Sequence, residues 1–179
     1  MEIRKLRAGD DLFAVSRVYE EIWKAVYRGL LPQAYLDGIP AGNWVPYLKQ
    51  AGRESLLLLD GRKIVGNVSC CAGRAPELSD WGEIVSIYLL PEYWGKGCGK
   101  LLFSTAVEQL ESMGYRKLFL WVLESNRRAR AFYERMGFCV CQRSELDEQP
   151  IKERALAAVE LLQQAVDRRG ISLKPNKKP

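Results

Sequence analysis

The sequence predicts an α/β domain in which a mixed, mostly antiparallel sheet carries helices on both faces. Three observations predict it. Two apolar strand-like runs, 54–60 and 63–71, flank Asp60-Gly61, a tight hairpin signal. Residues 83–124 run strand–helix–strand, the right size for two parallel strands joined by a crossover. Leu12, Val15, Tyr19, Ile22 and Val26 recur at steps of three and four, which lays one apolar stripe along a helix.

The elements follow in order. Residues 2–6 form a short first strand, and Asp10 or Asp11 caps the helix that carries the stripe, with Gly29 ending it. Pro32 opens a second helical turn through Leu36, and Asn43 caps a third around Trp44 to Lys49. After the hairpin, residues 74–82 are a loop and 83–90 a strong strand stopped by Pro91. A glycine-rich stretch over 95–99 leads into a helix from 100 to 113, with Gly114 at its C-terminal end. A strand over 116–124, a helix over 127–137 and a strand over 138–143 follow. Residues 151–170 have helical propensity with Gly170 as the stop, although their first part also suits a sheet edge. The chain thus divides into one domain over 1–150 and an extension over 151–179 that ends in a frayed basic tail.

Composition narrows the chemistry. At 179 residues with 47% apolar content, one core needs no disulfide or metal staple. With 0 histidines, no Ser-His-Asp triad, Cys-His pair or His-ligated zinc exists in this sequence. The five cysteines contain no C-x-x-C pair, are odd in number and follow no leader-like segment. The expectation is reduced, core-filling thiols in a cytoplasmic protein that binds no metal. The net charge of +5 includes three lysines in the last seven residues, Lys174, Lys177 and Lys178. The rest of the chain balances 24 basic against 22 acidic groups, which argues against a nucleic-acid partner. No apolar run reaches the length of a membrane span, so no membrane partner is expected.

The stretch PEYWGKGCGKLL (91–102) lies between a strand end and a helix start. Gly95, Gly97 and Gly99 let the backbone turn tightly and approach a ligand, and the helix N-terminus points its N–H groups into the gap. Lys96 and Lys100 add positive charge, so the natural occupant is a pyrophosphate. A P-loop needs four residues between its glycines and Ser or Thr after the Lys. Here Gly95 and Gly99 enclose three residues, and Leu101 follows Lys100. The G-x-G-x-G spacing also departs from the dinucleotide fingerprint.

VSIYLLPEYWGKGCGKLL resembles the acetyl-coenzyme A motif of the GCN5-related N-acetyltransferase (GNAT) family. A second block, ESNRRARAFYERMGF (124–138), resembles the family's N-x-x-A-x-x-F-Y-x-x-x-G-F helix through Asn126, Ala129, Phe132, Tyr133, Gly137 and Phe138. Residues 22–39 resemble the N-terminal helix pair of many members. Two departures stand out: Trp94 replaces the loop's usual Gln or Arg, and residues beyond 150 match the family's last strand only loosely, as PIKERALAA.

The resemblance implies a fold whose central parallel strands splay, with the coenzyme arm lying in the gap. It implies acetyl-CoA as co-substrate, held by backbone groups of Ile87 and Leu89, by the loop Gly95, Lys96, Gly97, Cys98, Gly99 and Lys100, and by Asn126. An N–H near Leu89 would polarise the thioester carbonyl. Glu83, sharing side-chain parity with Ile87 and Leu89, matches the family's general base, with water as the competing assignment. Tyr133 matches its general acid. Asn126 equally suits a helix N-cap, and Cys98 is expected to pack rather than attack, there being no His to activate it. Trp23, Tyr27 and Tyr35 are candidates for the acceptor wall.

These residues imply acetyl transfer to a primary amine, on a small molecule or peptide, by direct attack in a ternary complex. A homodimer is common among relatives. The competing class is a non-catalytic acyl-CoA-binding regulatory module of the same fold. Glu83 and Tyr133 occurring together favour the enzyme.

Overall fold

Leu57 and Leu58 are fully buried, and Leu56 and Leu59 nearly so. Four consecutive buried leucines in a strand require helices on both faces, because successive side chains point to opposite sides. The computed structural model describes residues 1–123, 125–140 and 173–175. It contains β1 (Glu2–Lys5), α1 (Leu12–Val26), α2 (Gln33–Asp37), α3 (Val45–Leu48), β2 (Glu54–Asp60), β3 (Lys63–Ala72) and β4 (Gly82–Leu89). These are followed by α4 (Cys98–Ser112), β5 (Leu118–Leu120), α5 (Arg127–Arg135), β6 (Phe138–Val140) and β7 (Leu173–Pro175).

The main sheet has the order β1-β2-β3-β4-β5. β1 to β4 pair antiparallel, and β4 pairs parallel with β5 through the α4 crossover. On one face Leu56, Leu58, Val68, Cys70 and Ile84 pack against Leu102, Phe103, Ala106 and Leu110 of α4. On the other, Leu57 and Leu59 pack against Val15, Tyr19 and Trp23 of α1, Leu36 of α2 and Leu48 of α3.

Local signals explain the boundaries. Asp11 caps α1 by accepting the Phe13 and Ala14 N–H groups at 2.9 and 3.1 Å. Asp10 instead takes the Arg4 guanidinium, with both contacts at 2.7 Å. The hairpin closes at Asp60↔Lys63 with Gly61 left-handed at φ 59°. α4 starts at Cys98, two residues before its expected position, because Gly97 serves as its cap.

β5 is the main difference from the sequence reading. Its apolar run over 116–124 forms strand only over Leu118–Leu120, since its partner strand departs after that point. β7 falls inside the stretch read as a frayed tail: Leu173–Pro175 pair antiparallel with β6. The strand reading of 141–143, the end of the β5 run at Glu124, and the helical or edge-strand readings of 151–170 lie outside the described residues. Among the described residues, no helix is long and apolar enough to cross a membrane.

Candidate active site

β4 and β5 pair at Gly82↔Leu118, Glu83↔Phe119 and Ile84↔Leu120. β4 then continues to Leu89 while β5 stops at Leu120, so the parallel strands part after Ile84. The Leu90 N–H donates to Val65 O on β3 at 2.9 Å. Strand alternation therefore turns the main-chain groups of Ile87 and Leu89 toward the edge that β5 has left. The Leu89 carbonyl is already engaged, accepting the Trp94 indole N–H at 2.7 Å. Its N–H, and both main-chain groups of Ile87, face the gap.

Between Ser69↔Ser86 and Cys70↔Ile84 the β3–β4 register slips, which makes Val85 an extra, bulged residue. That slip overturns the parity argument for Glu83. Cross-strand partners share a face, and Glu83 pairs with Cys71, whereas Ile87 pairs with Val68 and Leu89 with Gly66. Glu83 therefore lies on the α1 face, opposite Ile87 and Leu89. Its carboxylate is fully buried. It accepts Arg74 Nε–H at 2.9 Å, Arg74 Nη2–H at 2.6 Å and the Arg74 backbone N–H at 3.2 Å. A carboxylate in this position needs a fixed cation beside it.

Gly95 and Gly97 adopt left-handed backbones, φ 72° and 82°. The first α4 hydrogen bond runs from Leu101 N–H to Gly97 O at 3.0 Å. By position, the N–H groups of Cys98, Gly99 and Lys100 have no partner within the helix, and they form the positive end of its dipole. At Gly99 a Cβ would meet the Phe132 ring at 3.5 Å, an ordinary contact, and the backbone there is not left-handed, so neither space nor φ requires glycine at this position. Trp94 fixes the loop from the other side. Its indole holds Leu89, and the Arg128 guanidinium lies 3.3 Å above its ring centre.

A cavity of about 910 Å³ connects these parts. It runs from Gly95, Gly97 and Lys100, along Ile87 and Leu89, to a wall formed by α1 and the segment after it. Asn126, which caps α5, and Tyr133 on that helix line it as well. Burial holds the Tyr133 phenol well above its ordinary pKa, with the Tyr27 hydroxyl adding to the effect. The Asn126 side chain caps α5, accepting the Ala129 N–H at 3.1 Å. Glu83, Lys96 and Cys98 do not line the cavity. Lys96 projects over the Tyr93 ring at 5.8 Å, and Cys98 is buried with its sulfur 4.0 Å from the Lys96 carbonyl.

A family model described as the acetyltransferase (GNAT) family matches residues 16–138. The chain belongs to the GNAT family. An uncharacterised N-acetyltransferase from Archaeoglobus fulgidus is 34% identical over 137 residues, covering 74% of this chain and 89% of that one. A spermidine N(1)-acetyltransferase from Thermoplasma acidophilum is 26% identical over 149 residues, covering 78% and 89%. The crystal structure of the PaiA N-acetyltransferase from Thermoplasma acidophilum in complex with coenzyme A shares the fold. Its TM-score is 0.68 at 24% identity, covering 78% of this chain and 90% of that one.

In this GNAT chain, five features were legible as motif or pattern and face the cavity together: the Ile87–Leu89 edge, the glycine loop, Lys100, Asn126 and Tyr133. Trp23, Tyr27 and Tyr35 also line it. Three residues that matter to the site's geometry were not singled out. Trp94 was visible only as a departure from the family loop. Arg74 lies in a loop without periodicity, and Arg53 follows the turn glycine Gly52 with nothing to mark it.

Proposed function

We propose that this GNAT chain moves the acetyl group of acetyl-CoA to an amine by direct attack within a ternary complex. The observation that carries the reading is the continuous cavity through the parted β4–β5 pair. It joins an anion-binding glycine loop to an aromatic wall, so two substrates can meet inside it.

The residues fit the coenzyme. N–H groups of Cys98, Gly99 and Lys100, together with the Lys100 ammonium, would hold a pyrophosphate. The free edge at Ile87 and Leu89 would hydrogen-bond an extended amide-bearing arm as a missing strand would. Bound there, acetyl-CoA supplies a thioester whose carbonyl carbon accepts the amine. The Leu89 N–H is the donor placed to stabilise charge on the carbonyl oxygen.

Direct attack requires a C–N bond to form as the C–S bond breaks, with one proton leaving nitrogen and one reaching sulfur. No cysteine among the described residues lines the cavity, and burial pushes the thiols of Cys70 and Cys71 up to about 12 and about 11. Neither suits an acyl-enzyme route. Tyr133 remains a protonated donor throughout the neutral range. A phenol above a thiol's usual pKa of about 8.5 does not surrender its proton to a finished thiolate. It donates a hydrogen bond to sulfur while the C–S bond is breaking, which lowers the barrier, and the departed thiolate takes its proton from the water that receives the amine proton.

Glu83 serves this reading as a positioning residue that fixes Arg74, and water carries away the amine proton. The test is to incubate the protein with acetyl-CoA and a panel of amines, then weigh the products. A mass gain of one acetyl group on any amine, dependent on the protein, supports transfer. Tight coenzyme binding without transfer to any amine would mark the chain as a binding module.

A further inference from the structure

Three arginines, Arg28, Arg53 and Arg74, line the acceptor wall of the cavity. The Glu83 carboxylate behind Arg53 and Arg74 is engaged twice by the Arg74 side chain. Among the described residues Arg53 makes no ion pair of its own; the Glu83 charge favours its guanidinium from nearby but is hydrogen-bonded to Arg74. The Arg53 Nε is buried and makes no hydrogen bond, and its guanidinium lies 5.9 Å from the Tyr47 ring centre. Burial, reinforced by the Arg74 cation, works against its charge. A half-buried cation left this way is a costly arrangement unless a ligand completes it.

The rest of the wall agrees. Among the described residues, no Asp or Glu lines the cavity anywhere. Tyr27, Tyr35, Tyr47 and Tyr88 supply half-buried aromatic surface along the cavity, Tyr47 beside Arg53. A polyamine would bring several positive charges to a wall with no acidic partner. Lys100 and Arg128 stand beside the glycine loop, where phosphates would use them, so Arg53 is not needed for the coenzyme.

We propose that the acceptor is an amine that also bears a carboxylate on an apolar or aromatic body, with Arg53 receiving the carboxylate. This rests on the acetyl-transfer reading above. The planar guanidinium suits two parallel hydrogen bonds to a carboxylate. Its place on the α1 face, at the end of the sheet away from the glycine loop, leaves the amine between that anchor and the parted strands.

The experiment uses the full chain, acetyl-CoA, and matched pairs of phenylalanine with phenylalaninamide and leucine with leucinamide, plus spermidine. Free coenzyme thiol is the readout, and acetyl-CoA affinity is titrated in parallel. The amide amines are less basic than those of the acids, so reactivity alone favours the amides. The expected result is a kcat/KM at least tenfold higher for each acid than for its amide, with spermidine poorest. Arg53→Gln should raise KM for the acids about tenfold or more and abolish the acid-over-amide preference, with acetyl-CoA affinity within twofold. Arg53→Lys should restore part of that preference. Equal or better use of the amides or of spermidine overturns the proposal, as does coenzyme binding without acetylation of any probe. Absence of coenzyme binding overturns the acetyl-transfer reading itself, and the proposal with it.

Discussion

The Trp94 indole N–H donates to the Leu89 carbonyl at 2.7 Å, which ties the glycine loop to the last residue of β4. One side chain thereby sets the distance between the anion cradle and the open strand edge. Arg128 stacks 3.3 Å above the same indole, so α5 is held to the loop as well.

Trp94→Phe keeps the stacking surface and deletes the hydrogen bond. A neutral hydrogen bond contributes about 0.5–1.5 kcal/mol, so acetyl-CoA affinity should fall roughly 3–10-fold with little change in melting temperature. Isothermal titration of the folded variant measures it. Unchanged affinity would show that the loop holds its place without the indole.

Gly97 caps α4 at φ 82°, and nothing lies within 4 Å of a Cβ built there. A substitution therefore acts through backbone strain and not through a clash. A side chain in the left-handed region costs about 1–2 kcal/mol, and a β-branched one costs more. Gly97→Val should weaken acetyl-CoA binding at least tenfold, about 1.4 kcal/mol, while the domain stays folded. Coenzyme titration with circular dichroism on the same sample separates the two effects.

Glu83 is fully buried and held by Arg74 at 2.6 and 2.9 Å. Glu83→Gln leaves the Arg74 cation without its partner, and stability should drop by about 2–3 kcal/mol. For a chain of this size that lowers Tm by roughly 5–10 °C. A directly acting base would instead show a large turnover defect at unchanged stability, so thermal melts beside rate measurements tell the two roles apart.

The Glu83 result shows where sequence reasoning stops. The hairpin, the α1 stripe and the glycine loop rest on local rules of turn chemistry, periodicity and backbone freedom, and each was legible in a short window. The bulge at Val85 was not. EIVSIYLL is apolar on both faces, so an inserted residue leaves no break in the pattern, and every side chain before it changes sides relative to those after it. β5 was overestimated for a related reason. Its run stays apolar to Val122 and Leu123, but a strand also needs a neighbour, and β4 has turned away. Arg53 and Arg74 acquire meaning only through Glu83, which sequence places far from Arg53 and tertiary pairing brings close.

Acid–base behaviour offers a further check. Burial raises the Tyr133 phenol above its ordinary value, so it keeps its proton as pH rises through 10, the usual phenol pKa. Turnover should climb from neutrality as the acceptor amine loses its proton, then level off without a falling limb below about pH 10. Stability follows the same sign: the neutral phenol's contribution is complete below about pH 10 and is lost only above it. A falling limb near pH 8 or 9, with the fold intact, would point to a different acid.

The most direct measurement is turnover of Tyr133→Phe, with acetyl-CoA affinity and acceptor KM determined on the same preparation. The ring stays and one oxygen goes, so packing and coenzyme binding should be preserved. The account predicts a kcat lower by roughly 10²–10³-fold at unchanged acetyl-CoA affinity. Full activity in Tyr133→Phe with saturating acceptor would contradict it.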